Sequence, residues 1–261
     1  MLPTRALIGM IHIPALPGTP HHSRPIDEIV AAAAEEARLL DQAGFDGLIV
    51  ENMHDRPYLH GTQPPEVVAA MSLVAHAVAH AAPRLIRGVQ VLSGGNREAL
   101  AIAHATGGAF IRCENFVFAH VADEGLLTRA EAGPLLRYRN SINAKNIKIF
   151  ADIKKKHASH ALTADVSIAE AAQAAEFFSA DGVIVTGAAT GKPASLADVA
   201  AVRNATRLPV LVGSGVDPGS VKALFDAGAD ALIIGSWIKR DGLWSNPIDA
   251  QRCEQIIASR R

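Results

Sequence analysis

Eight short apolar runs, rich in Val and Ile, alternate along the chain with longer alanine-rich stretches of helical periodicity. The runs cover residues 6–13, 47–52, 85–92, 110–115, 147–154, 182–187, 210–215 and 231–236. Most are too short and too uniformly apolar for a sheet with one wet face. Strands of a parallel sheet, covered by helices on both sides, read this way. Helical patterns fill the gaps at 26–43, 65–81, 97–106, 167–179, 196–206, 218–227 and 247–259, with a further one at 128–142 that Pro134 interrupts. Asp217-Pro218 is a strong helix start, an N-cap residue followed by proline in the first turn. A weak repeat supports the alternation: Ala43-Gly-Phe-Asp-Gly-Leu-Ile-Val50 resembles Ala227-Gly-Ala-Asp-Ala-Leu-Ile-Ile234. Both join a helix end to a buried strand. No linker or change of composition divides the chain. Eight β-then-α units therefore predict one closed (β/α)₈ TIM barrel, a single α/β domain over residues 1–261. A doubly wound sheet is the structural alternative.

Composition bounds the partners. Apolar residues make up 49% of the chain, enough for a large core, and the formal net charge is −1. Nothing in that balance favours nucleic acid or an anionic membrane. No apolar run reaches the roughly 18 residues that span a bilayer. The N-terminus lacks a basic region followed by a long apolar core. The two cysteines, Cys113 and Cys253, form no disulfide framework. A cytoplasmic protein is expected, as a homo-oligomer, with Arg260-Arg261 as a solvated helix end.

The last two runs point to a ligand class. Pro209-Val-Leu-Val-Gly-Ser-Gly215 and Ala231-Leu-Ile-Ile-Gly-Ser236 both stop abruptly at Gly-Ser. In this fold the loops after strands 7 and 8 commonly hold a phosphate, and glycine lets backbone N–H groups approach an anion closely. Gly213, Ser214, Gly215, Gly235 and Ser236 are therefore candidate contacts to a small phosphorylated substrate. The long loops after the first, second, fourth and fifth runs leave the strand ends where barrel active sites lie.

Polar groups at the ends of apolar strands carry the chemistry, because burying them is costly. Asp152 and Lys154 end the fifth run and share a face. A carboxylate and an amine would meet in the barrel mouth if that face turns inward. The lysine there suits a Schiff base or a phosphate; a structural ion pair, or the start of the solvated run Lys154–Lys156, is the plainer reading. Arg112 and Glu114 share a face of the fourth run; Arg112 suits a carboxylate or phosphate, and an internal Arg–Glu bridge is the alternative. Cys113 reads as a small buried hydrophobe. Glu51 is a candidate general base and Asn52 a substrate partner, although only one of the two can point straight in. His12, Gln90 and Thr186 complete the candidate substrate contacts, with a satisfied structural histidine as the alternative for His12.

Metal chemistry is weighed because the chain has eleven histidines. His76 and His80 lie one helical turn apart without the glutamate a zinc motif requires. Glu51, Glu114 and Asp152 together suit a divalent cation across the mouth, while no cofactor is required. The segment Thr186-Gly-Ala-Ala-Thr-Gly-Lys-Pro193 imitates a P-loop, but its glycine spacing is short and proline replaces the Ser/Thr. It reads as the loop after the sixth strand. Leu92-Ser-Gly-Gly-Asn96 is a turn leading into a helix.

Several segments resemble the BtpA/SgcQ family. They are Ile8-Gly-Met-Ile-His-Ile-Pro-Ala-Leu-Pro-Gly18, Val50-Glu-Asn-Met-His-Asp-Arg-Pro57, Ala103-His-Ala-Thr-Gly107, Phe110-Ile-Arg112, Lys148-Ile-Phe-Ala-Asp152, Thr186-Gly187 with Thr190-Gly-Lys-Pro193, and Val212-Gly-Ser-Gly215. They follow one order over nearly the whole chain. The resemblance implies a ribulose-phosphate-binding-like TIM barrel and supplies no reaction. Its founding member is associated with photosystem I biogenesis or stability, and SgcQ-like members accompany sugar transport. This chain departs at Leu92-Ser-Gly-Gly-Asn96, where many members carry Leu-Arg-Asn-Asp, and at Phe116–Gly125, where others favour Thr-Asp-Gln-Gly. Three functions follow. The first is a lyase- or isomerase-type enzyme on a small phosphorylated metabolite such as a sugar phosphate, with Asp152, Lys154 and Glu51 as its catalytic groups. The second is a non-catalytic assembly or stability factor. The third is a sensor that binds phosphometabolites without turnover.

Overall fold

The computed structural model describes residues 2–187 and 191–260. Eight parallel strands close into a barrel: β1 (Ala6–His12), β2 (Gly47–Glu51), β3 (Ile86–Gln90), β4 (Phe110–Cys113), β5 (Lys148–Ile153), β6 (Gly182–Thr186), β7 (Val210–Gly213) and β8 (Ala231–Ile234). Each pairs with its chain neighbour. The seam is closed by β1 against β8, from Ala6↔Ala231 to Gly9↔Ile234. That pairing rules out the open doubly wound sheet. The helices α1 (Ile26–Ala43), α2 (Pro65–Ala81), α3 (Asn96–Thr106), α4 (Ala132–Ser141), α5 (Ile168–Phe177), α6 (Leu196–Ala205), α7 (Val221–Asp226) and α8 (Ala250–Ala258) follow the strands in turn.

The period-2 alternation of a strand explains why every run is apolar throughout. Outward residues such as Leu7, Leu48, Ile111, Val183 and Leu232 pack with the helices in one large core. Inward residues such as Ile8, Ile49, Phe110, Phe150 and Ile233 form a second, separate cluster inside the barrel. Phe110 and Phe150 meet there, their ring centroids 5.1 Å apart. Glycine on the neighbouring strand makes room for each ring. A Cβ on Gly88 would lie 2.2 Å from Phe110, and one on Gly182 would lie 2.6 Å from Phe150. Above this apolar floor the inward face turns polar: His12, Glu51, Gln90, Arg112 and Asp152. The register sets His12 beside Glu51 and Glu51 beside Gln90.

Several boundaries differ from expectation for local reasons. Pro134 does not break α4; the helix begins at Ala132, so the proline falls in the first turn, where its missing N–H has no partner to lose. Asp217 does accept a hydrogen bond from the Ser220 N–H at 2.8 Å, but the turn it caps precedes α7, which begins only at Val221. Asp249 caps α8 through the Arg252 N–H at 3.1 Å, which leaves Pro247 outside the helix. The loops after β4 and β5 carry structure that the sequence did not suggest. Short strands Gly125–Leu127, His120–Ala122 and Ala158–Ser159 form a three-stranded antiparallel sheet at the rim. After β8 the segment 239–248 forms a closed loop, pinched at its base by a bridge between Lys239 and Ile248. Glu36 of α1 accepts from both ends of that pinch, from Lys239 Nζ at 2.8 Å and the Ile248 N–H at 2.9 Å. Among the described residues, no helix is long and apolar enough to cross a membrane. Thr190 and Arg261, both read in the sequence, lie outside the described residues.

Candidate active site

The mouth at the C-terminal ends of the strands holds two cavities of about 300 Å³ each. They share Glu51, Met53, Arg112 and Lys156, so they are two lobes of one site.

The first lobe lies over β7 and β8. Ser214, Gly215, Gly235 and Ser236 line it as expected, joined by Trp237 and Arg252. Ser214 and Gly215 have φ of 79° and 64°, a left-handed turn that brings the backbone close to the loop after β6. A Cβ on Gly215 would lie 2.4 Å from the Pro193 nitrogen, so glycine is obligatory there. The Ser214 hydroxyl donates to the Lys192 carbonyl at 2.9 Å. Gly235 lies under the His12 ring, which a Cβ would approach to 3.5 Å. Arg252 reaches in from α8, its Nε donating to the Trp237 carbonyl at 2.6 Å and its guanidinium 4.3 Å above the Trp237 ring. The Trp237 indole N–H is buried without a partner among the described residues. Guanidinium groups, an unmatched N–H and glycine turns together suit an anion.

The second lobe lies over β2 to β5, walled by Gln90, Glu114, Asp152, Lys155, Tyr58 and Trp244 among others. Arg112 grips Asp152 through three contacts of 3.0 to 3.2 Å. Burial alone would lower the Arg112 pKa, but Asp152 and Glu51 outweigh it and hold the guanidinium charged. Burial raises Asp152, and Arg112 offsets only part of that. Glu114 is claimed by Lys155 at 3.0 Å and by the Gly94 N–H at 2.8 Å. Burial would raise Glu114; Lys155 wins and holds it below its ordinary value.

Glu51 stands where the lobes meet, with His12 Nε2 at 3.4 Å from its carboxyl oxygen. Burial acts against the charged form of both groups. Burial, then the nearby Lys239, push His12 well below its usual range. Burial pushes Glu51 up. His12 Nδ1 lies 2.9 Å from the Trp244 carbonyl, which can only accept. The network therefore assigns the proton to Nδ1 and leaves Nε2 as an acceptor facing Glu51. Lys156 faces the same junction, its pKa lowered by burial and by Arg112.

Some expected site residues stand elsewhere. Lys154 does not enter the mouth. It takes φ of 43°, which breaks the alternation after β5, and its amine donates to the Thr163 carbonyl at 3.1 Å. The amines that reach the mouth are Lys155, in the second lobe, and Lys156, which lines both. Asn52 points away from both lobes: its amide donates to Asp55 and the Leu92 carbonyl and accepts from the Leu92 N–H, stapling the loops after β2 and β3. Thr186 accepts from the Lys156 N–H at 3.0 Å and so positions that segment. Gly213 leaves room for Arg112, whose Nη1 a Cβ would meet at 3.9 Å. The internal bridge of Arg112 is to Asp152, not to Glu114. Glu51, Glu114 and Asp152 do not converge on a cation, because two of them turn to basic partners; no group of three ligands suited to a metal stands among the described residues. Sequence reading missed Lys156, Arg252 and Trp244. Trp244 carried a faint signal as one of two tryptophans, in a loop. It is packed between Arg56, 4.7 Å away, and His54, at 4.8 Å.

A sequence profile of the BtpA family matches residues 3–261. The chain belongs to the BtpA family. It is 46% identical over 255 residues to an uncharacterized protein of Caenorhabditis elegans whose name places it in mitochondria, covering 96% of this chain and 91% of that one. The photosystem I biogenesis protein BtpA of Synechocystis is 34% identical over 252 residues, 96% of this chain and 86% of that protein. Among solved structures, thiamine phosphate pyrophosphorylase from Pyrococcus furiosus superposes with a TM-score of 0.61 at 10% identity, covering 98% and 95% of the two chains. The (S)-3-O-geranylgeranylglyceryl phosphate synthase of Thermoplasma acidophilum, in complex with sn-glycerol-1-phosphate, gives 0.61 at 18% identity, covering 98% and 93%. These likenesses are of fold: a closed (β/α)₈ barrel.

Proposed function

We propose that this BtpA-family protein is an enzyme acting on a small phosphorylated metabolite. The phosphate occupies the lobe over β7 and β8, and the reacting carbon lies at the junction of the lobes. The observation that carries this reading is the sharing of Glu51, Arg112 and Lys156 by an anion-suited lobe and a second, polar one. A substrate anchored at one end by phosphate presents its next carbons to the buried Glu51 carboxyl group, with His12 beside it. That arrangement suits proton transfer beside a carbonyl, the common step of isomerases and many lyases. Arg112 and Lys156 would stabilise negative charge developing on the carbonyl oxygen. The fold neighbour that holds sn-glycerol-1-phosphate supports the ligand class.

A thermal-shift screen of phosphomonoesters, with and without magnesium, tests the reading. A ligand that stabilises the wild type should stabilise Arg252→Gln less, through binding linkage. Glu51→Gln should keep binding and lose turnover. If no phosphomonoester stabilises the wild type, the reading fails. The name of the Synechocystis relative favours a second reading, a non-catalytic assembly or stability factor. It predicts that Glu51→Gln leaves function intact. A sensor would bind without turnover. We place the protein in a reducing aqueous compartment as a homo-oligomer; the worm relative's name makes mitochondria the first alternative to cytoplasm.

A further inference from the structure

The two lobes leave opposite kinds of polar group unmatched. In the anion lobe the orphan is a donor, Trp237 Nε1. In the second lobe the orphans are acceptors, Gln90 Oε1 and Glu124 Oε2, buried with no partner among the described residues. A buried polar atom without a partner carries its full desolvation penalty, and native proteins keep few of them. Gln90 is 2% exposed and stands on the strand floor beside Glu51, so a partner can reach it only from within the lobe. Its amide presents an acceptor and a donor whichever way round it sits. The group that satisfies it in either orientation is a hydroxyl.

Charge narrows the class. The wall of this lobe carries five carboxyl side chains, Glu51, Glu114, Asp123, Glu124 and Asp152, against Arg56, Arg112, Lys155, Lys156 and the imidazole of His157. Two of the basic groups, Arg112 and Lys155, are matched to Asp152 and Glu114. A second phosphate or a carboxylate would gain no net attraction there and would lose its hydration. We infer that the part of the substrate lying in the second lobe is uncharged and hydroxylated, with one hydroxyl seated on Gln90. The preferred class is a polyhydroxylated phosphomonoester, rather than a phosphorylated acid or a bisphosphate. This inference rests on the phosphate reading above.

A ladder of probes with one common anchor separates the two claims. Titration calorimetry with inorganic phosphate, propyl phosphate, glycerol 3-phosphate, ribose 5-phosphate and 3-phosphoglycerate would be run on the full chain. The expected result is a gain of about tenfold or more from propyl phosphate to the better hydroxylated ester, with no gain for 3-phosphoglycerate, since a site built to hydrogen-bond a hydroxyl discriminates strongly against its absence. Gln90→Met, near-isosteric and apolar, should erase the gain and leave inorganic phosphate unchanged. Phosphate binding without a hydroxyl gain, or tighter binding of 3-phosphoglycerate, would overturn the inference and spare the phosphate reading. Binding of none of the probes would overturn both. The wild-type ladder decides the matter even if Gln90→Met does not fold.

Discussion

Asp152→Asn should be among the most damaging shape-conserving changes available to this barrel. The substitution keeps the outline of the side chain and removes one charge. In the wild type Asp152 and Arg112 make three contacts of 3.0 to 3.2 Å with side chains 1% and 6% exposed. Removing one partner of a buried pair costs about 3–5 kcal/mol, because the other charge is left uncompensated. Glu51 also acts on Arg112 and takes up part of the deficit, so we expect the lower end, about 3 kcal/mol. For a chain of this size that corresponds to a fall of about 6–12 °C in melting temperature. The released guanidinium should also pull the Glu51 pKa down from its raised position. Urea unfolding monitored by tryptophan fluorescence and far-UV circular dichroism gives the stability change. The double variant Arg112→Met/Asp152→Leu removes both charges and should return to within about 1 kcal/mol of the wild type, as apolar replacements of buried pairs often do. If Asp152→Asn unfolds within about 1 kcal/mol of wild type, or the double variant is no better than the single, the pair does not have the energetics assigned to it.

Gly88→Ala should destabilise by about 1–3 kcal/mol, because its Cβ would strike the Phe110 ring that fills the barrel floor; the urea midpoint reads this directly. Acidification should expose His120. Burial lowers its folded pKa from 6.5 to about 4, so below 6.5 the unfolded chain takes up a proton that the folded chain refuses. Its contribution is intact above that pH and declines as pH falls from 6.5 toward 4. His120→Gln should therefore lose less melting temperature than wild type between pH 7 and pH 5; an equal loss would contradict the burial argument. Lys239→Met strands Glu36, whose side chain is 15% exposed, and should cost about 2–3 kcal/mol. It should also speed proteolytic nicking within residues 239–248, visible as new fragments by mass spectrometry.

The fold was legible because parallel strands advertise themselves: each is apolar on both faces, and eight such runs leave few topologies open. The positions of the polar layer were legible for the same reason. A charge that ends an apolar run, as in Glu51, Arg112 and Asp152, has to be explained by what it meets in the mouth. What period-2 counting could not see was where the alternation stops. Lys154 shares a face with Asp152 on paper, but its left-handed φ turns it out, and Lys155 and Lys156 reach the mouth instead. Asn52 was read as a substrate contact because amides suit ligands; two of its three bonds go to Leu92, 40 residues away, which no local pattern encodes. Arg252 was hidden inside a helix that reads as packing. Trp244 contributes a carbonyl oxygen to His12, and a backbone atom has no sequence signature at all.

That last bond joins residues 232 positions apart. The imidazole that meets Glu51 belongs to the first strand, while the oxygen that fixes its tautomer belongs to the loop after the last strand, latched to the first helix through Glu36. The seam of the barrel is thus tied a second time at its mouth, by a side chain of β1 holding the loop that follows β8. Which imidazole nitrogen faces the Glu51 carboxyl group therefore depends on whether that loop is seated.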